Sequence, residues 1–122
     1  MFDHVGFGAN DYAASKACFL KSLPPLGVGI VMEGEHGIGL GPVGKPSLWL
    51  FQTSEKPVPL HIAFTAANRK QVQDFYCAAV EAGGKDNGAP GVRPRYDSNY
   101  YGALVIGPAG HNVDAVCHQP EG

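Results

Sequence analysis

Apolar residues along this chain alternate between two spacings, and the order of those spacings occurs twice. The first apolar run, Phe2 to Ala9, reads as a strand. From about Asp11 to Leu23 the large apolar side chains are Tyr12, Phe19, Leu20 and Leu23, one stripe at helical period. Asn10 and Asp11 are good N-cap types, and Pro24-Pro25 ends the helix. Three short apolar segments follow, Val28–Met32, Ile38–Leu40 and Ser47–Phe51, parted by Gly and Pro as strands joined by turns would be. The order then restarts. Pro59 to Phe64 predicts a strand, and Asn68 is a plausible N-cap. Val72, Phe75, Tyr76 and Ala79 form one helical face, and Gly83 is a helix stop. Further strands are predicted near Gly84–Asn87, Tyr100–Ile106 and Asn112–His118, the last two parted by the turn Gly107-Pro108-Ala109-Gly110.

Each half thus reads strand, helix, strand, strand, strand. His4-Val5-Gly6-Phe7 matches His61-Ile62-Ala63-Phe64 as His, β-branched, small, Phe. Leu26-Gly27 and Ala82-Gly83 then follow at offsets that differ by one residue. We read one unit duplicated, with module 1 at about 1–56 and module 2 at about 57–119 of a single 122-residue domain. A chain of this length buries roughly two thirds of its unfolded surface, so it needs no staple. The expected fold class is α+β: two βαβββ modules.

Composition narrows the function classes. Hydrophobic residues are 44% and charged residues 16%, which opposes disorder. Lys+Arg 9 against Asp+Glu 11 gives a net charge of −2, which offers nucleic acid no basic face. No apolar stretch approaches the roughly 20 residues of a membrane span. The start, Met1-Phe2-Asp3-His4, lacks the layout of a signal peptide. Cys18, Cys77 and Cys117 are odd in number and form no C-x-x-C pair, as expected of free thiols in a reducing, cytoplasmic setting.

The candidate chemistry begins at the repeated histidines. On a strand, alternate side chains share a face, so His4 lies with Gly6 and His61 with Ala63, each beside a small neighbour that leaves room for a ligand. In a duplicated unit the two occupy equivalent positions that can face each other. Asp114 is the best third ligand, a carboxylate among the apolar residues of Asn112-Val113-Asp114-Ala115-Val116. Two imidazoles and one carboxylate suit a divalent Fe, Mn, Ni, Co or Zn.

The chain also resembles the vicinal oxygen chelate superfamily of glyoxalases, bleomycin-resistance proteins and extradiol dioxygenases, over almost its whole length. The resemblance rests on Phe2-Asp3-His4-Val5 and Leu60-His61-Ile62-Ala63-Phe64. It extends to Gly91-Val92-Arg93-Pro94-Arg95-Tyr96 with Asn99-Tyr100-Tyr101-Gly102, and to Gly110-His111-Asn112-Val113-Asp114-Ala115-Val116. It implies a curved, partly open sheet around a cavity, with metal ligands at the places of His4, His61 and Asp114. The family's last ligand is usually Glu, so Asp114 is one methylene short. A fourth ligand would have to come from Gln52 at a strand end, so a three-ligand site fits better.

The remaining polar and aromatic residues carry looser expectations. Glu33 ends a strand and is the candidate general base, with solvent exposure as the plain reading. Arg93 and Arg95 flank Pro94 and can clamp an anion. Trp49, Phe51, Arg95 and Tyr101 are the candidate substrate-binding residues, although core packing explains aromatic side chains equally well. His36 and His111 read as turn residues and His118 as a residue near the end of the last strand. Unpaired sheet edges and the habit of the resembled family favour a homodimer. The expected function is a divalent-metal-dependent enzyme of lyase, isomerase, dioxygenase or transferase type acting on a small oxygen-chelating substrate. The alternative is a metal-free protein that sequesters a small molecule, as bleomycin-resistance proteins do.

Overall fold

Each module begins with a βα unit whose next sheet partner must run parallel to the first strand, and the chain solves this the same way twice. In the computed structural model, which describes residues 2–120, module 1 contains β1 (Val5–Ala9), α1 (Tyr12–Ser22), β2 (Gly29–Glu33), β3 (Gly37–Gly41) and β4 (Leu48–Gln52). Module 2 contains β5 (His61–Thr65), α2 (Arg69–Glu81), β6 (Lys85–Val92), β7 (Tyr101–Ile106) and β8 (Asn112–Cys117). The sheets run β1-β4-β3-β2 and β5-β8-β7-β6. In each the first strand pairs in parallel with the last, and the other pairs are antiparallel. The fold is α+β, two open four-stranded mixed sheets with one helix each.

One face of each sheet is dry. Phe7, Ile38, Leu40, Leu48 and Leu50 are buried in module 1, and Val105, Val113, Ala115 and Cys117 in module 2. Helix α1 presses Phe19 onto its sheet, and α2 presses Val72, Phe75 and Ala79. Each of the Val, Leu, Ile and Phe side chains among them contributes about 1.5–3 kcal/mol when fully buried. The helices also pack on each other, where the Cys18 thiol donates to Ala79 O at 3.6 Å. The modules therefore meet in part through their helices, and no helix covers the sheet face opposite α1 or α2. Among the described residues, no helix is long and apolar enough to cross a membrane.

His111 ties the modules together. It is 3% exposed and sits edge-on to the Phe7 ring at 4.9 Å. The Leu60 N–H donates to its Nδ1 at 3.0 Å, so the ring proton is on Nε2, which donates to Gly8 O in β1 at 2.8 Å. The pattern Gly-His-Asn suggested a residue that fixes its own turn. The structure gives it a longer reach, from the β7–β8 turn into module 1.

Two elements differ from the pattern reading. Strand β1 starts at Val5, so His4 precedes it. The weak strand expected at Gly84–Asn87 runs instead from Lys85 to Val92. Gly88, Pro90 and Gly91 looked like turn residues, but β6 is an edge strand, where a missing N–H costs no ladder bond, and its register slips on both sides of Gly88. The helix starts differ as well. Asn68 caps α2, accepting from the Gln71 N–H at 2.8 Å, while Gln71 Oε1 accepts from the Ala67 N–H at 2.7 Å. Asp11 stands at the N-cap of α1 without a side-chain capping bond.

Candidate functional site

The period of two sends His61, Ala63 and Thr65 to the open face of β5 and Ile62 and Phe64 to the helix side. On β8 the same rule sends Asn112, Asp114 and Val116 outward. The parallel register sets Ala63 beside Asp114 and His61 beside Asn112, one diagonal step away. That step brings His61 Nε2 to Asp114 Oδ2, where the ring N–H donates at 2.6 Å. The His61 side chain is 63% exposed and that of Asp114 3%, so a wet histidine meets a dry carboxylate. Asp114 Oδ1 is buried with no hydrogen-bond partner. Leaving such an acceptor bare costs about 1–3 kcal/mol. Burial pushes the Asp114 carboxyl above the ordinary carboxylate range, against the smaller downward pulls of His61 and Arg93.

The 93–100 segment folds back over the same face. The Arg93 guanidinium donates to Gly91 O at 2.8 Å, to Gly102 O and to Ala89 O at 3.0 Å, which joins β6 to β7. Gly102 shares the face of Val116 and Asp114, and a Cβ there would lie 3.1 Å from the Tyr100 ring, so the tyrosine rests on this face. Tyr96 tilts against Tyr100 at 4.9 Å, and His118 meets Tyr100 edge-on at 5.3 Å. His118 also pairs with Asp97 at 3.4 Å, and that bond holds the Asp97 carboxyl below its ordinary range. Burial, and then the Asp114 charge, push the Tyr100 hydroxyl up. Beside His61 a cleft of about 440 Å³ opens between Phe2, Val5, Leu60, Ile62 and Ala63.

The other residues singled out from sequence fall in several places. His4 is exposed and pairs through Nδ1 with Asp3 at 2.7 Å, and Asp3 also takes Lys45 at 2.9 Å. Glu33 faces the helix side, opposite Ile38, and its carboxylate is held by Lys16 of α1. Trp49 and Phe51 lie on the open face of module 1, with Phe51 47% exposed. Arg95 stacks over Tyr96 at 4.8 Å. Tyr101 turns to the helix side, where Gln73 donates to its hydroxyl at 2.9 Å and the Arg69 guanidinium covers its ring. Only His61 and Asp114 of the expected set meet. Arg93, Tyr100 and His118, not chosen as site residues from sequence, lie close by. The signal for Arg93 was present, since it and Arg95 flank Pro94 in a chain of net charge −2.

No family model matches the sequence, and no curated protein does. Solved structures do match in three dimensions. A glyoxalase/bleomycin resistance protein from Albidiferax ferrireducens T118 superposes with a TM-score of 0.79 at 24% identity, covering 98% of this chain and 99% of that one. The chain has the fold of the vicinal oxygen chelate superfamily. A glyoxalase/bleomycin resistance protein/dioxygenase family enzyme from Burkholderia phytofirmans PsJN gives 0.73 at 15% identity, covering 96% and 98%. The lactoylglutathione lyase of Agrobacterium tumefaciens gives 0.68 at 16%, covering 96% and 92%. At these identities the glyoxalase-like fold is shared, and the chemistry must be argued from the residues.

Against a metal of that superfamily, the residues fit in part. A histidine nitrogen and a carboxylate converge, and Asp114 Oδ1 is an acceptor left over for a cation or a donor. Among the described residues no third His, Cys, Asp or Glu joins them. One chain thus brings together two of the three expected donors, and His4 stands apart on module 1.

Proposed function

We propose that the open face of module 2 is the active site of a divalent-metal-dependent enzyme of glyoxalase type, acting on a small oxygen-bearing substrate. The observation that carries this reading is the contact of His61 with the buried, half-satisfied Asp114. The third donor in this reading is His4 of a second copy, because no helix covers the sheet face opposite α1 or α2, and within one chain His4 does not join His61 and Asp114. The protein is then a homodimer whose two sites each combine module 1 of one copy with module 2 of the other.

The metal, when bound, supplies a Lewis acid for substrate oxygens. The chain's own residues do the rest. Asp114 holds the His61 ring through Nε2, and for the two to share a metal the ring would carry its proton on Nδ1, so that the Nε2 lone pair and a carboxylate oxygen would both turn to the cation. Glu33 is tied to Lys16 on the other side of its sheet, so proton transfer falls to groups near His61. Trp49 and Phe51 of the facing module give the substrate an apolar floor.

Metal content of the native protein and of co-expressed His4→Ala and His61→Ala chains tests this. Each single variant is expected to lose its metal. The isolated heterodimer is expected to regain one site, because one of its two composite sites carries neither substitution. A heterodimer as empty as the parents overturns the shared site. No metal in the native protein, after incubation with Mn, Fe, Ni, Co and Zn, overturns the metal reading. Saturable binding of small aromatic compounds would then favour a sequestering protein, which the exposed Phe51 supports.

A further inference from the structure

Arg93 holds a half-buried positive charge that forms no ion pair among the described residues. Its three hydrogen bonds go to main-chain carbonyls, and among the described residues no carboxylate lies within ion-pair distance. Carbonyls orient a guanidinium without neutralising it, and a guanidinium has further N–H donors beyond those used here. Asp114, the acid close enough to feel Arg93, is already engaged by His61. The surroundings are shaped to the group. Strand β6 bulges around it, and a Cβ at Gly88 would come within 2.9 Å of Arg93 Nη2. Arg95, two residues on, also lacks an acid partner among the described residues and leans on Tyr96 instead. Two guanidiniums on one segment thus have no ion-pair partner among the described residues, and the Asp97 carboxylate between them and β7 is taken up by His118.

These guanidiniums adjoin an aromatic wall. Tyr100 rests on Gly102, and Tyr96 is 59% exposed beside it. A clamp that served only to join β6 to β7 would need N–H donors and no charge. Keeping an uncompensated charge partly out of water is costly unless something pairs with it.

We propose that Arg93 is a specificity-determining residue that binds the carboxylate of a small planar ligand lying against Tyr100 and Tyr96, beside His61 and Asp114. This names the substrate class of the site proposed above, yet it stands on residues outside the metal donors. Arginine suits the task, because its planar fork matches a carboxylate.

Titration of the ¹⁵N-labelled full chain with benzoate, benzamide and cyclohexanecarboxylate tests it, as purified and again after chelation. The readout is the Arg93 Nε–H resonance, assigned by its loss in Arg93→Gln. Benzoate is expected to shift this signal saturably in both preparations, and benzamide to leave it in place. Loss of one charge-assisted bond in Arg93→Gln is expected to weaken benzoate about tenfold or more, followed at the Gly102 amide. An unmoved Arg93 signal, or equal shifts from benzamide, overturns the proposal. Equal binding of cyclohexanecarboxylate overturns the requirement for a planar ligand. Should Arg93→Gln fail to fold, the native titration decides, with Arg95→Gln removing the neighbouring charge as control. Benzoate binding and metal content are separate readouts, so either reading can fail alone.

Discussion

The two modules share an element order and differ at the centre of their open faces. In module 1, Gly6 on β1 stands beside Trp49 on β4. In module 2, the equivalent pair is Ala63 beside Asp114. One strand further in, Gly39 pairs with Trp49 and Leu104 with Asp114. At Gly39 a Cβ would meet the Trp49 ring at 2.9 Å, so glycine there leaves room for the indole. The same framework thus presents an aromatic floor once and a buried carboxylate once. A sheet fixes where a side chain points, and the residue type at that point decides whether the place is apolar or chemical.

The joint between the modules can be broken at His111. His111→Ala leaves the Leu60 N–H and Gly8 O without their partner and opens a cavity against Phe7. The expected loss is about 3 kcal/mol, read from urea denaturation. A loss below about 1 kcal/mol would mean that helix packing alone holds the modules together.

The contrast between the faces can be reduced at Asp114. Its carboxyl is raised by burial, so between the ordinary carboxylate range and its folded value the native state holds more protons than the unfolded one. Stability contributed by this group therefore falls as pH rises through that window. Asp114→Asn removes the penalty. It is expected to raise stability at pH 7 by about 1 kcal/mol, and the gain should shrink as pH falls through the carboxylate range. Thermal melts at several pH values check this. A variant less stable than the native chain at pH 7 would show that the His61 bond outweighs the burial.

The helix starts give the smallest difference. Asn68→Ala is expected to cost about 1 kcal/mol, and Asp11→Ala only a small part of that, because Asp11 makes no capping bond. Matched denaturation curves for the two variants measure it. Equal losses would place a cap on α1 as well.

Much of the fold was legible. The α2 stripe Val72, Phe75 and Ala79 is buried as its spacing requires, and Pro24-Pro25 does end α1, passing into a short 3₁₀ turn over Pro24–Leu26. Strand β6 was not legible in full, because Gly and Pro mark turns in sequence and are also tolerated on a sheet edge. Tyr101 shows a second limit. Its apolar neighbours did not say which face of β7 would meet α2, and one step of register decides between cleft and helix.

The sequence by itself determined the repeated βαβββ order, the facing of His61 away from the helix, and the oddness of a carboxylate inside β8. These follow from local rules, since period and turn chemistry act over a few residues. Tertiary structure alone decided which strands lie side by side. Parallel pairing of β5 with β8 joins His61 to Asp114 across 53 positions of chain, and β1 pairs with β4 instead, which leaves His4 with Asp3 and Lys45. Equivalent positions in a repeat share a direction within their own module. Whether they share a site depends on how the modules pack, and here the joint runs through α1 against α2 and through His111, while β1 and β5 lie in separate sheets.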